Sequence, residues 1–170
     1  VFFENSNPDI INGNSIIYVG VINKRKNLKL VIEALHELKL SNIRFDLHVV
    51  GWYKEGDVHY EMEISNLIEK FDLGSQITFY GWMKQQDILE VYQKCNFFIL
   101  PSLQETLPVS IAEAMALGKI VIASDVGAIS EMFENKVTGF LFGRNNLKEL
   151  VNLLADLYKH PLPEGRSEEV

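Results

Sequence analysis

Residues 102–127, SLQETLPVSIAEAMALGKIVIASDVG, decide the fold. Pro108 suits the first position of a helix, where a missing N–H is no loss. Gly118 suits the C′ position, where a helix turns left-handed and stops. KIVIAS (119–124) is then a β-rich, mostly apolar run that predicts a strand. The stretch therefore reads as turn, helix over 108–117, turn and strand.

The same alternation extends in both directions. Upstream, SIIYVGV (15–21) predicts a strand. NLKLVIEALHELKL (27–40) places Leu28, Val31, Ile32, Leu35 and Leu38 on one helical face. FDLHVVG (45–51) alternates as a strand. Residues 58–71 carry Met62, Ile64, Leu67, Ile68 and Phe71 in a weaker amphipathic helix. ITFYG (77–81), QDILEVYQK (86–94) and NFFIL (96–100) predict strand, helix and strand. Downstream come a helix near 128–134, a short strand at 139–142, and a helix over 146–158 with Leu147, Leu150, Val151, Leu154 and Leu157. Strands and helices joined by short connections predict a Rossmann-like three-layer α/β/α domain with a parallel sheet of about six strands. We expect this domain to span 15–158, with a linker at 1–14 and a polar tail at 159–170. In such sheets ligands sit beyond the carboxyl ends of the strands. The loops at that end are 20–27, 51–57, 81–85, 101–108 and 124–128.

The chain has 170 residues, 47% of them hydrophobic, and a net charge of −7. That balance argues against nucleic-acid binding through a general basic surface. Cys95 is the single cysteine, which excludes an intrachain disulfide and a Cys-rich zinc site. Its apolar setting, CNFFIL, predicts a buried, inert thiol. No apolar run reaches the roughly 18–20 residues of a membrane span, and no signal-peptide pattern precedes the first strand. His36, His48, His59 and His160 show no metal-ligand spacing. The start at Val1 and the tail PLPEGRSEEV (161–170) lead us to expect a piece of a longer protein.

From Ile111 to Leu117 every residue is apolar except Glu113, and eight positions earlier stands Glu105. The free N–H groups at the start of the helix, with its dipole, form an anion site suited to phosphate. Glu105 lies at that mouth, and Glu113 about 7–8 Å along the axis at 1.5 Å per residue. A carboxylate accepts from two vicinal sugar hydroxyls at once. Three readings stay open on spacing alone. The acids flank one phosphorylated, hydroxyl-rich ligand; or Glu113 meets Lys119 while Glu105 is a solvated loop acid; or the two form a glycosidase pair. YVGVINKRKN (18–27) holds the only dense basic cluster, Lys24, Arg25 and Lys26, followed by Asn27 as an N-cap. This loop either neutralises a phosphate or is a solvated turn.

The ordered set P-S-x-x-E-x7-E-A-M-A-x-G-x-x-V-I-A-S-D-V-G, from Pro101 to Gly127, resembles the signature region of the GT-B retaining glycosyltransferases of family 4. Glu131, Thr138, Gly139, Leu141 and Phe142 match its continuation. The resemblance covers about Ile16 to Leu157. It implies the nucleotide-sugar-binding, C-terminal half of a GT-B fold. Glu105 would contact the donor sugar near the reacting carbon, and Glu113 the ribose. The backbone of Thr106, Leu107, Pro108 and Val109 would receive the diphosphate. Lys26 and Arg25 would neutralise it. Gly81, Trp82 and Met83 would lie against the base, with Trp82 either stacked on it or covering the sheet edge.

Three departures stand out. Val21 occupies the family's phosphate Arg position and Asn27 a glycine, and Thr106–Leu107–Pro108 replaces the usual glycines after the first acid. The resemblance further implies an NDP-sugar donor, no metal or cofactor, and an N-terminal acceptor-binding domain missing here. It implies hexosyl transfer to a hydroxyl in surface polysaccharide or glycolipid synthesis, and an isolated domain that is inactive. It also implies a cytoplasmic location, with any membrane association peripheral and through the missing part. The rivals are a non-catalytic nucleotide-binding or scaffold module of the same fold, and a sugar-nucleotide epimerase, whose histidines are not evident.

Overall fold

The structure, a computed structural model, describes residues 13–53 and 57–161. Most of the expected linker and most of the expected tail lie outside the described residues, as does part of the 51–57 loop. Six strands are ordered β3-β2-β1-β4-β5-β6: β1 Ser15–Val19, β2 Asp46–Val50, β3 Ile77–Gly81, β4 Phe97–Leu100, β5 Ile120–Asp125 and β6 Gly139–Gly143. Every pairing is parallel. The sheet runs outward from β1 to β3, then returns to place β4 on the other side of β1. This reversal opens a crevice between the carboxyl ends of β1 and β4.

Five helices cover the sheet: α1 Leu28–Leu40, α2 Val58–Lys70, α3 Gln85–Gln93, α4 Val109–Ala116 and α5 Leu147–Lys159. All five α1 residues expected on the inner face are buried, joined by Leu30 and Ala34. Leu150, Leu154 and Leu157 of α5 belong to the same apolar cluster. Cys95, Val91, Tyr92, Ile111 and Ala114 form the core of the opposite face. Burial pushes the Cys95 thiol up to about 12, so it stays protonated and inert as expected. β4 sits mid-sheet, and all four of its residues are buried.

Three local expectations are corrected. The α2 helix flanks the edge strand β3 and fully buries only Tyr60 and Ile64, leaving Met62 exposed. The helix near 128–134 shrinks to a 3-10 turn, Ile129–Glu131, held by bonds to the third residue back. Its apolar face consists of Ile129 and Phe133. The chain then turns at Lys136, in the left-handed region, to enter β6. Pro108 occupies the N-cap, not the first helical position, with extended backbone (φ −75°, ψ 108°). At the far end of α4 the Gly118 prediction holds: φ is +67°, Gly118 N–H donates to Met115 and Lys119 N–H donates to Ala114. This pair of bonds is the Schellman motif.

Candidate functional site

The crevice is built by two loops 79 residues apart in sequence. From the β1 side, Lys26 Nζ donates to Glu105 Oε1 at 2.7 Å. Arg25 Nη1 stands 3.5 Å from Glu105 Oε2 and donates to the Gln104 carbonyl at 2.9 Å. Backbone stitches the loops as well, with Leu103 N–H donating to the Arg25 carbonyl at 2.7 Å. From below, Ser102 Oγ donates to Glu105 Oε1 at 2.6 Å. The Ser102 carbonyl in turn accepts from Ser124 Oγ at 2.6 Å. Both serines are fully buried.

Glu105 is therefore not a solvated loop acid. Its side chain is 7% exposed and that of Lys26 15%. Burial works against its ionisation, but hydrogen bonds from Lys26 and Ser102 and the charges of Lys26 and Arg25 outweigh this. Together they hold its carboxyl below the usual carboxylate range. Burial above all, then Tyr60 and the same carboxylate, push the Tyr18 phenol upward. Tyr18 keeps its proton and donates it to the Val21 carbonyl at 3.0 Å. At 21, then, the loop offers no cationic side chain, only a carbonyl already engaged.

Asn27 sits at φ +54°, a left-handed conformation that Asn tolerates better than other non-glycine residues. That explains why it can stand where the resemblance has glycine. It is not a side-chain cap: Nδ2 donates instead to Asn145 Oδ1 at 3.1 Å, tying the loop to the segment after β6.

Glu113 reverses the sequence expectation. It is exposed on α4, and among the described residues it makes no ion pair, with Lys119 or any other cation. The helix covers the sheet with Ile111 and Ala114, which are buried, and with Met115 partly buried beside them, because an outer-layer helix buries one stripe. Its run of alanines looked apolar all round but carries little surface. At its start, the amides of Thr106, Leu107, Val109 and Ser110 have no hydrogen-bond partner among the described residues. They form the cationic end of the helix beside the Lys26–Glu105 pair.

The loops after β1, β2 and β3 are laced edge to edge. Gly20 N–H donates to Val50, Ile22 N–H to Trp52, and Gly51 N–H to Gly81. Trp82 follows with 65% of its surface exposed, so it does not cover the sheet edge. Met83 turns inward against the second core cluster, leaving its backbone at the rim. The sequence had pointed to Ser102 and Ser124 as motif residues but not as site residues. Their signal was positional: a hydroxyl at the carboxyl end of adjacent strands, one of them three residues before an acid. Among the described residues no group of three His, Cys, Asp or Glu is arranged to hold a metal ion. No described helix is long and apolar enough to cross a membrane.

The chain resembles known proteins over nearly its whole length. The family model described as glycosyl transferases group 1 matches residues 4–168. The amylovoran biosynthesis glycosyltransferase AmsK of Erwinia amylovora is 30% identical over 148 residues, 84% of this chain and 35% of that protein. The colanic acid biosynthesis glycosyltransferase WcaL of Salmonella typhimurium, itself a putative assignment, is 27% identical over 83% of this chain and 35% of that protein. This chain thus spans about a third of the length of these relatives. Among solved structures, Anabaena HepE in complex with UDP-glucose superposes with a TM-score of 0.77 at 25% identity, covering 86% of this chain and 39% of that one. Sucrose-phosphate synthase of Thermosynechococcus elongatus gives 0.79 at 25% identity, covering 89% and 38%. The three-layer domain with its six-stranded parallel sheet is thus the fold the GT-B resemblance implies, and the chain belongs to the glycosyl transferases group 1 family.

Proposed function

We propose that this chain is the donor-binding half of a retaining family 4 glycosyltransferase, which takes a hexosyl unit from an NDP-sugar to a hydroxyl acceptor. The observation that carries this reading is the meeting of Lys26 and Arg25 with Glu105 at the β1/β4 crevice, beside the unpaired amides that open α4. The diphosphate lies on those amides, from Thr106 to Val109, with Lys26 and Arg25 turned to it. Glu105 faces the sugar. Glu113, exposed one turn into α4, accepts from the ribose hydroxyls, and the base lies along Gly81, Trp82 and the Met83 backbone. Relatives named for amylovoran and colanic acid synthesis support a surface polysaccharide or glycolipid product. HepE, crystallised with UDP-glucose, supports a sugar-nucleotide donor.

In the transfer, the bond from the anomeric carbon to the diphosphate breaks. A bond to the acceptor oxygen forms on the same face, and the acceptor proton passes to the leaving diphosphate. The cations and helix amides stabilise the charge that develops there, so no metal is required. An N-terminal domain supplies the acceptor site, and without it this domain binds donor weakly and turns nothing over. The whole protein works in the cytoplasm.

Calorimetry with UDP, GDP and ADP tests the reading. Lys26→Ala weakens diphosphates more than nucleosides, and Glu113→Ala abolishes binding of the nucleotide whose ribose it holds; unchanged binding in the Glu113 variant would remove the ribose role. Equal loss for diphosphate and nucleoside in the Lys26 variant would remove the phosphate assignment. The rival of a scaffold module draws on Val21, where no cation stands; absence of binding to all three nucleotides would favour it.

A further inference from the structure

The two oxygens of Glu105 are not equivalent. Oε1 accepts from both Lys26 and Ser102, whereas Oε2 has Arg25 alone at 3.5 Å. The Arg25 side chain is half-exposed, so this second contact lies at the rim. A diphosphate entering the crevice competes for both cations, which are charged and within its reach. Ser102 cannot be drawn away. It is uncharged, fully buried, and its backbone is fixed by Ser124 through its carbonyl and by the adjoining Leu103–Arg25 bond.

We infer that Ser102 is a positioning residue: its hydroxyl keeps Oε1 of Glu105 fixed while the cations engage the diphosphate, so that Oε2 is presented to the hydroxyls of the donor sugar. This rests on the reading that Glu105 faces that sugar. The physical need is clear. A carboxylate this far out of water is costly once its cations turn elsewhere, and a hydrogen bond from a buried hydroxyl is the remaining compensation. Ser124 acts one step behind, orienting the peptide that carries Ser102.

A merely structural hydroxyl would give a different result from a positioning one. Affinities of the 170-residue chain for UDP, GDP, UDP-glucose and GDP-mannose are measured by NMR titration, taking the tighter sugar nucleotide and its parent nucleotide. Ser102→Ala is expected to weaken the sugar nucleotide about tenfold, one hydrogen bond to a charged group, with the parent nucleotide unchanged within about twofold. Equal loss for both ligands, or none, overturns the proposal. Glu105→Gln tests the underlying reading. If it loses the sugar preference while Ser102→Ala keeps it, the reading stands and the positioning role alone falls. If Glu105→Gln keeps the preference, both fall. In the double variant the Ser102 change adds nothing beyond Glu105→Gln; additive losses count against the proposal. Should Ser102→Ala fold poorly, Ser102→Cys, with its weak donor, gives a smaller loss in the same direction, and full preference in that variant overturns the role.

Discussion

Gly127 lies directly against the backbone of Glu105: a Cβ at position 127 would stand 2.0 Å from the Glu105 carbonyl oxygen. Its φ of +60° is left-handed as well. The turn after β5 therefore braces the loop that carries the acid. Gly127→Ala should destabilise the protein by at least about 2 kcal/mol in urea, combining strain with a clash that neither backbone can relieve. It should also loosen the Lys26–Glu105 contact, seen as a shift in the Lys26 side-chain NMR signals. A neutral substitution would show that the turn yields freely.

Stability near the acid limb should depend on Glu105. Its folded carboxyl titrates below the ordinary value of 4.5. Its contribution is therefore complete above that value and is lost as pH falls through the folded one. Glu105→Gln should flatten the decline in melting temperature below about pH 4.5 relative to the parent chain. Lys26→Ala should cost about 1–3 kcal/mol at neutral pH, between exposed and fully buried pairs, and should move the acid decline upward in pH.

At position 27 backbone conformation and side chain can be separated. Asn27→Gly relieves the left-handed backbone but loses the bond to Asn145, so it should come out within about 1 kcal/mol of the parent. Asn27→Ala suffers both losses and should be lower by about 1–2 kcal/mol. Urea denaturation of the pair distinguishes them, and an alanine variant as stable as the glycine one would contradict the left-handed geometry.

Glu113 and Trp82 should behave as binding residues with little structural role. Both are exposed, and Glu113 has no ion pair among the described residues. Glu113→Ala and Trp82→Ala should leave stability within about 0.5 kcal/mol. Under the proposed function, Trp82→Ala should weaken UDP while leaving pyrophosphate untouched, read by competition titration. A melting loss without a change in binding would assign Trp82 to the fold instead.

Helix faces and the alternation of strands with helices were legible because they rest on periodicity and punctuation. Leu28, Val31, Ile32, Leu35 and Leu38 repeat at helical spacing, and Gly118 marks a stop that only a left-handed residue fills easily. The environments of the two acids were not legible. Glu113 sits among alanines and a leucine, which read as a buried helix, yet burial of α4 is decided by the sheet beneath it. Glu105 reads as a loop acid, yet its partners Lys26 and Arg25 come from a loop on another strand. Sequence displays neighbours along the chain; the charge state of Glu105 depends on neighbours across the switch in strand order. The helix expected near 128–134 failed for a similar reason, since the short return to β6 overrides local propensity.

The separation of 79 positions between Lys26 and Glu105 also bears on biogenesis. As the polypeptide leaves the ribosome, β1, β2 and β3 can assemble with their helices while the anion grip does not yet exist. The cationic loop completes its pocket only after β4 threads back beside β1, the longest-range closure among the paired strands and hence a slow one. Nascent chains stalled before residue 105 would accordingly expose Lys26 and Arg25 without a counter-ion, and nucleotide would enter after, not during, that closure.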